Sequence, residues 1–86
     1  MQILRNRDKK TFNELMEIYY NTDGYDVENS KWEKQNNCWV FDETRIVKHE
    51  GKVYKFHYSG ITNNSNKQDI NNEECYYIEE EKGGNN

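Results

Sequence analysis

Residues 44 to 59 read TRIVKHEGKVYKFHYS, two runs with apolar and polar side chains in alternation, divided by Glu50 and Gly51. A two-residue hairpin turn needs backbone with positive φ, which glycine adopts without steric cost. Arg45 to His49 and Val53 to Tyr58 are therefore predicted to pair antiparallel. Side chains of a strand point to alternate faces. Tyr54, Phe56 and Tyr58 then share one face, and Val53, Lys55 and His57 the other. The aromatic face needs a cover, which another segment has to supply.

Upstream, Thr11, Phe12, Asn13 and Glu14 have the spacing of a capping box, in which hydroxyl and carboxylate satisfy each other's backbone N–H groups at a helix start. Phe12, Leu15, Met16 and Tyr19 then recur at i, i+3, i+4 and i+7, with Ile18 widening the stripe. Asn21-Thr22-Asp23-Gly24 tolerates a left-handed C-cap, so the helix is predicted over 11–22. No other segment is amphipathic enough to roof a sheet, and the stripe is assigned to the core rather than to a partner's groove.

Between helix and hairpin, Ser30 and Glu33 repeat the capping-box spacing. A short helical turn is expected at Lys31 to Gln35, ended by Asn36 and Asn37, with Trp32 as its one large anchor. The run Cys38-Trp39-Val40-Phe41 predicts a strand over 38–42, ahead of hairpin strands over 44–50 and 52–59. Ile61 to Asn72 (ITNNSNKQDINN) is polar and long for a loop of a compact domain, and is expected to be mobile or functional. Cys75 to Ile78 centre a last strand over 74–80, whose flanking acids are of the kind that protect a sheet edge. The domain is placed at 1–82, with a disordered tail at 83–86 that begins to fray at Lys82.

Core material is unusual: seven Tyr, three Phe and two Trp stand against two Leu, four Val and no Ala. Tyr and Trp carry a polar tip, so each ring must find a partner for that tip or remain partly exposed as contact surface. With 86 residues the chain makes one thinly stabilised domain and leaves no room for an elaborate cleft. No run is long and apolar enough to span a bilayer, and the N-terminus MQILRNRDKK lacks the apolar core of a signal peptide. A cytoplasmic location is expected, and with it reduced thiols at Cys38 and Cys75.

The net charge of −4 is distributed in blocks. Residues 1 to 10 are basic, 14 to 43 acidic, 45 to 67 basic and the segment from Asp69 acidic again. Opposite blocks can neutralise each other across a solvated sheet. Alternatively the acids meet in space and steer a basic partner.

Chemistry finds few footholds. Cys38, His49, His57 and Cys75 do not have the paired short spacings of a zinc module. The acidic stretch from Asn21 to Glu28 fails as a calcium loop, because with Gly24 at the glycine position Tyr19 and Ser30 would fall where carboxylates are required. Neither cysteine is accompanied by a glycine-rich elbow or an oxyanion motif, no phosphate-binding glycine loop is present, and paired acids are non-specific among sixteen. The chain is accordingly not expected to be an enzyme, and no metal or cofactor is assigned.

Two binding readings remain. In the first, the protein binds another protein that presents a basic surface. Partner-binding candidates are Glu73, Glu74, Tyr76, Tyr77, Glu79, Glu80, Glu81, Trp32, Asp23, Asp26 and Glu28, with Tyr25 and Trp39 as further rings and Glu14 and Glu17 as further acids. Acids spaced like phosphates can occupy the nucleic-acid-binding surface of a host enzyme or defence nuclease. The short, acidic, aromatic-rich profile resembles that of phage-type inhibitors of the anti-restriction or anti-CRISPR kind, a likeness of composition that rests on no particular residue. In the second reading, Tyr54, Phe56 and Tyr58 stack single-stranded bases while Arg45, Lys48, Lys52 and Lys55 hold the backbone. A net acidic chain opposes it, and the same rings are the natural partner of the helix. A structural role, with a homodimer formed through Tyr76 and Tyr77 at an edge strand, is the remaining possibility. The fold expected under all three is α+β, one amphipathic helix on a three- to four-stranded antiparallel sheet.

Overall fold

The computed structural model describes residues 2–5 and 9–82, with side-chain surroundings over 11–80. Six elements follow one another: β1 (Gln2–Arg5), α1 (Lys9–Tyr20), β2 (Asp26–Gln35), β3 (Cys38–His49), β4 (Lys52–Thr62) and β5 (Ile70–Lys82). They form the expected α+β arrangement, one helix on an antiparallel sheet, with strand order β1-β5-β4-β3-β2. The sheet has five strands, because β1 and β2 both extend the predicted set. As every neighbour is antiparallel, β1 and β2 run in the same direction on opposite edges. Helix α1, between them in sequence, crosses one face of the sheet.

The hairpin forms where predicted. Glu50 and Gly51 both have positive φ, 51° and 78°, the combination that matches the twist of the flanking strands. His49 lies opposite Lys52 and Arg45 opposite Phe56. Leu15 and Met16 of α1 close over Val47, Tyr54, Phe56, Tyr58, Cys75 and Ile78, while Phe12, Ile18 and Tyr19 pack at the margins. Phe56 and Ile78 are 0% exposed. Each such burial contributes about 1.5–3 kcal/mol.

Other boundaries differ from the sequence expectation. The helix begins at Lys9, so Thr11 lies inside its first turns and does not cap it. It ends as expected, with Asn21 N–H and Nδ2 both donating to the Glu17 carbonyl at 3.1 and 2.7 Å. Residues 31–35 are strand rather than helical turn. β2 continues to Gln35 and reverses at Asn36, whose φ is 57°. The segments 38–42 and 44–50 are one strand, since Asp42 and Glu43 stay in register with Ser59 and Tyr58. β4 and β5 are each longer than predicted, which shortens the Asn-rich connection to 63–69.

That connection is ordered by its own amides. Asn63 Nδ2 and Asn64 Nδ2 donate to Asp69 Oδ1 and Oδ2 at 3.0 and 2.8 Å. Backbone N–H groups of Asn66 and Gln68 donate to the side-chain oxygens of Asn64 and Asn66. Such side-chain turns replace the ladder bonds a loop lacks. Nor is β5 an edge strand along Tyr77 to Glu80, where β1 pairs with it. Lys82, expected to fray, lies in β5 opposite Lys52. The tail at 83–86 lies outside the described residues.

Candidate functional site

Two bulges and the pleat decide where the candidate residues point. At Tyr76 the β5 strand carries one extra residue, between the His57–Tyr77 and Tyr58–Cys75 pairs. Tyr76 and Tyr77 therefore both lie on the open face of the sheet, away from α1. There the His57 ring stacks on Tyr77, centroids 4.0 Å apart and planes at 8°, and Nε2 meets Glu79 Oε1 at 2.6 Å while Nδ1 meets Thr44 Oγ1 at 3.1 Å. The Tyr76 hydroxyl donates to Asp42 at 3.2 Å. Burial, reinforced by the Asp42 charge, pushes that phenol up to about 12. A hydroxyl–imidazole–carboxylate chain fixes the His57 ring against Tyr77.

On the helix side, Arg45 is 4% exposed and ringed by acceptors and aromatics. Its Nε donates to Glu43 at 2.6 Å, Nη1 to the Tyr19 hydroxyl at 2.8 Å and Nη2 to Glu73 at 2.9 Å. The guanidinium lies 4.2 Å from the Tyr58 ring centre and 5.0 Å from that of Tyr25. Burial opposes its charge, but the bonds to Glu73, Glu43 and Tyr19 outweigh that and hold it protonated more firmly than in water. A charge inside a protein is tolerated only when paired and hydrogen-bonded in this way.

A groove of about 800 Å³ opens beside this network, between α1 and β5. Phe12, Met16, Tyr58 and Cys75 line it, together with Tyr20, which is 69% exposed. Glu17, Glu73 and Glu74 contribute its carboxylates. Here β5 runs on past β1: among the described residues the two pair from Tyr77 to Glu80. Between Ile70 and Tyr76, β5 has β4 on one side and, among the described residues, no strand on the other. Burial pushes the Cys75 thiol up to about 12 and raises Tyr58 as well, so neither ionises near neutral pH.

The predicted partner-binding residues do not converge on one surface. Glu73 and Glu74 reach the groove. Tyr76, Tyr77 and Glu79 belong to the open face. Glu80 binds Lys52 at 2.9 Å, and Glu28 binds Lys55 at 3.3 Å. Asp23 and Asp26 line a shallow hollow with Tyr25, Ile46 and Lys48. The Glu81 side chain lies outside the described residues. Glu73, Glu80 and Glu28 of the predicted negative face thus neutralise bases of their own sheet.

The predicted nucleic-acid platform is corrected outright. Tyr54, Phe56 and Tyr58 are 5%, 0% and 4% exposed beneath α1, and Arg45 is enclosed by acids, so these groups offer no ring face to a base. Helix and hairpin each needed an apolar cover and found the other. A different aromatic and basic patch lies at the far end of the same sheet face. Trp32 stacks on Phe41 at 4.6 Å, and Lys67 Nζ lies 4.3 Å from the Trp39 ring centre and 5.4 Å from that of Trp32. Trp39 Nε1 donates to the Ser65 carbonyl at 2.9 Å, so the Asn-rich loop caps the patch and brings Lys67 to it.

Sequence reasoning missed Phe12 and Tyr20 as groove residues, because the helical stripe assigned Phe12 to the core and left Tyr20 without a role. The signal available was that Tyr20, at i+4 from Met16 and i+8 from Phe12, extends the edge of the stripe. Among the described residues no three of His, Cys, Asp and Glu converge to hold a metal ion, and no helix is long and apolar enough to cross a membrane. Comparison of the chain with protein-family models, with curated proteins and with solved structures returns no match.

Proposed function

We propose that this is a small cytoplasmic protein-binding protein that receives a basic, extended segment of its partner in the groove between α1 and the half of β5 that precedes Tyr77. The observation that carries this reading is the coincidence of an apolar floor and the carboxylates of Glu17, Glu73 and Glu74 beside a length of β5 that, among the described residues, has a strand on one side alone. An added strand satisfies such an edge, and acids beside it select Lys and Arg. Segments of that kind also bind phosphate backbones. Occupying one would block nucleic-acid binding, which makes the protein an inhibitor of a nucleic-acid enzyme.

Affinity capture from host lysate tests this, using the wild type and a Glu17→Lys/Glu74→Lys variant, which spares the Arg45 partner Glu73. One nucleic-acid-binding protein should be retained by the wild type, released as salt rises and lost from the variant. Identical protein sets on both baits would refute the reading.

A second reading draws support from the Trp32, Trp39, Lys34 and Lys67 patch, whose rings and cations are the ingredients of single-strand stacking. It predicts salt-sensitive quenching of tryptophan fluorescence by oligothymidine, and an unchanged spectrum would dismiss it.

A further inference from the structure

Strand β2 is the outer edge of the sheet, on the side opposite the groove, and it is exposed along nearly its whole length. Among the described residues nothing pairs with its outer backbone groups. An edge of this length is a template for another strand unless its sequence forbids pairing. A bulge at Glu28, between the Val27–Arg45 and Asn29–Thr44 pairs, interrupts it, and the chain reverses at Asn36. The regular edge is therefore 29–35. Ser30, Trp32 and Lys34 lie on the helix side, opposite Glu43, Phe41 and Trp39. Asn29, Lys31, Glu33 and Gln35 lie on the open side, opposite Thr44, Asp42, Val40 and Cys38.

We infer that this edge pairs with its own copy, antiparallel, about a two-fold axis through Trp32, to give a dimer with one continuous sheet. The charge pattern selects both the occupant and the register. A two-fold axis that makes neighbouring strands antiparallel stands perpendicular to the sheet, so residues sharing a face in one copy meet residues of that face in the other. With the axis at Trp32, Lys31 of each copy lies opposite Glu33 of the other, giving two opposite-charge pairs on the open face. The two Trp32 rings meet on the helix side, each already backed by Phe41 at 4.6 Å. Ser30 faces Lys34, and Asn29 faces Gln35. Moving the axis one residue in either direction along the other face sets Lys31 against Lys31 or Glu33 against Glu33, and directly opposed like charges destabilise a sheet. Charges on an edge strand ordinarily prevent pairing; here they prevent every neighbouring register and permit one. Groove and seam lie on opposite edges, so the dimer does not depend on the proposed partner.

Sedimentation equilibrium on the full chain tests the inference. A seven-residue seam is small, so the 10.5 kDa protomer should pass to twice its mass at concentrations on the order of 100 μM. Lys31→Glu alone, or Glu33→Lys alone, should weaken self-association by about tenfold or more, because both symmetric pairs turn repulsive. Mixing the two single variants, or combining both substitutions in one chain, should restore it. Both positions are exposed, and an unchanged circular dichroism spectrum separates loss of the seam from loss of the fold. A wild type that remains monomeric at about 1 mM overturns the inference, as does a dimer indifferent to the charge substitutions. In the lysate capture, identical protein sets on both baits with dimerisation intact would refute the groove alone.

Discussion

The helix-facing side of the sheet has two halves closed by different means. Over β4 and β5, α1 brings Leu15 and Met16 onto Tyr54, Phe56, Tyr58 and Ile78, and the closure is apolar. Toward the far end of β2 and β3, no helix arrives among the described residues. Phe41 is covered by Trp32, and the cover is finished by a loop whose order comes from amide hydrogen bonds and from Lys67 over Trp39. Arg45 stands between, stacked on Tyr58 on one side and bonded to Glu43 on the other. The contrast shows how a chain poor in aliphatic residues completes a core: rings fill volume in both halves, and where no helix is present, polar tips and loop amides replace it.

The sharpest way to break the contrast is Phe56→Ala, which empties the centre of the helix-covered half. It should cost about 3–5 kcal/mol in urea unfolding, enough to leave a domain of this size largely unfolded. A value below about 1 kcal/mol would mean that the two halves do not share one cooperative unit. Gly60→Ala attacks the other half. A Cβ there would stand 2.5 Å from two Phe41 ring atoms and from the Asn72 carbonyl, and the Phe41 ring, 1% exposed, has nowhere to withdraw. The expected loss is about 1–3 kcal/mol, with a change in tryptophan fluorescence as the Trp32–Phe41 stack shifts. A neutral substitution would show that the far half yields easily.

The smallest effect sharpens the contrast by chemistry. Burial raises the Cys75 thiol from 9.0 to about 12, whereas Cys38 is half-buried outside the apolar core. Mass spectrometry after alkylation at pH 8 should find Cys75 modified about a hundredfold more slowly than Cys38. Because the folded state holds this proton more tightly than the unfolded chain, the associated stability is full below about pH 9 and is lost as pH climbs toward 12. Equal labelling at pH 8 would mean that the helix does not seal its half.

Much of the covered half was legible in the sequence. The alternation of Tyr54, Phe56 and Tyr58 and the stripe of Leu15 and Met16 each report burial directly, and Glu50-Gly51 carries its own turn geometry. β2 was not legible, since DVENSKWEKQ has one large apolar residue and no alternation to read; it is a strand because β3 offers a ladder. The capping-box spacing misled twice. At Thr11 it fell within a helix already begun, and at Ser30 within a strand, because four residues cannot report their tertiary partners. The Asn-rich loop was read as mobile or functional from its length and polarity, although asparagine also supplies the bonds that order a loop. The groove was illegible because it lies where α1 meets a part of β5 that, among the described residues, runs past β1, a relation between elements distant in sequence.

The pairing of β1 with β5 sets Gln2 opposite Glu80. Closing so long a stretch of chain carries the largest loop entropy in the molecule, whereas β2, β3 and β4 are joined by two-residue reversals. On a ribosome β2, β3 and β4 can pair with one another before β5 emerges, while β1, made before them, must wait for β5. Until then β1 lacks its ladder partner, and the interval of greatest vulnerability to wrong pairing lasts until β5 has been made.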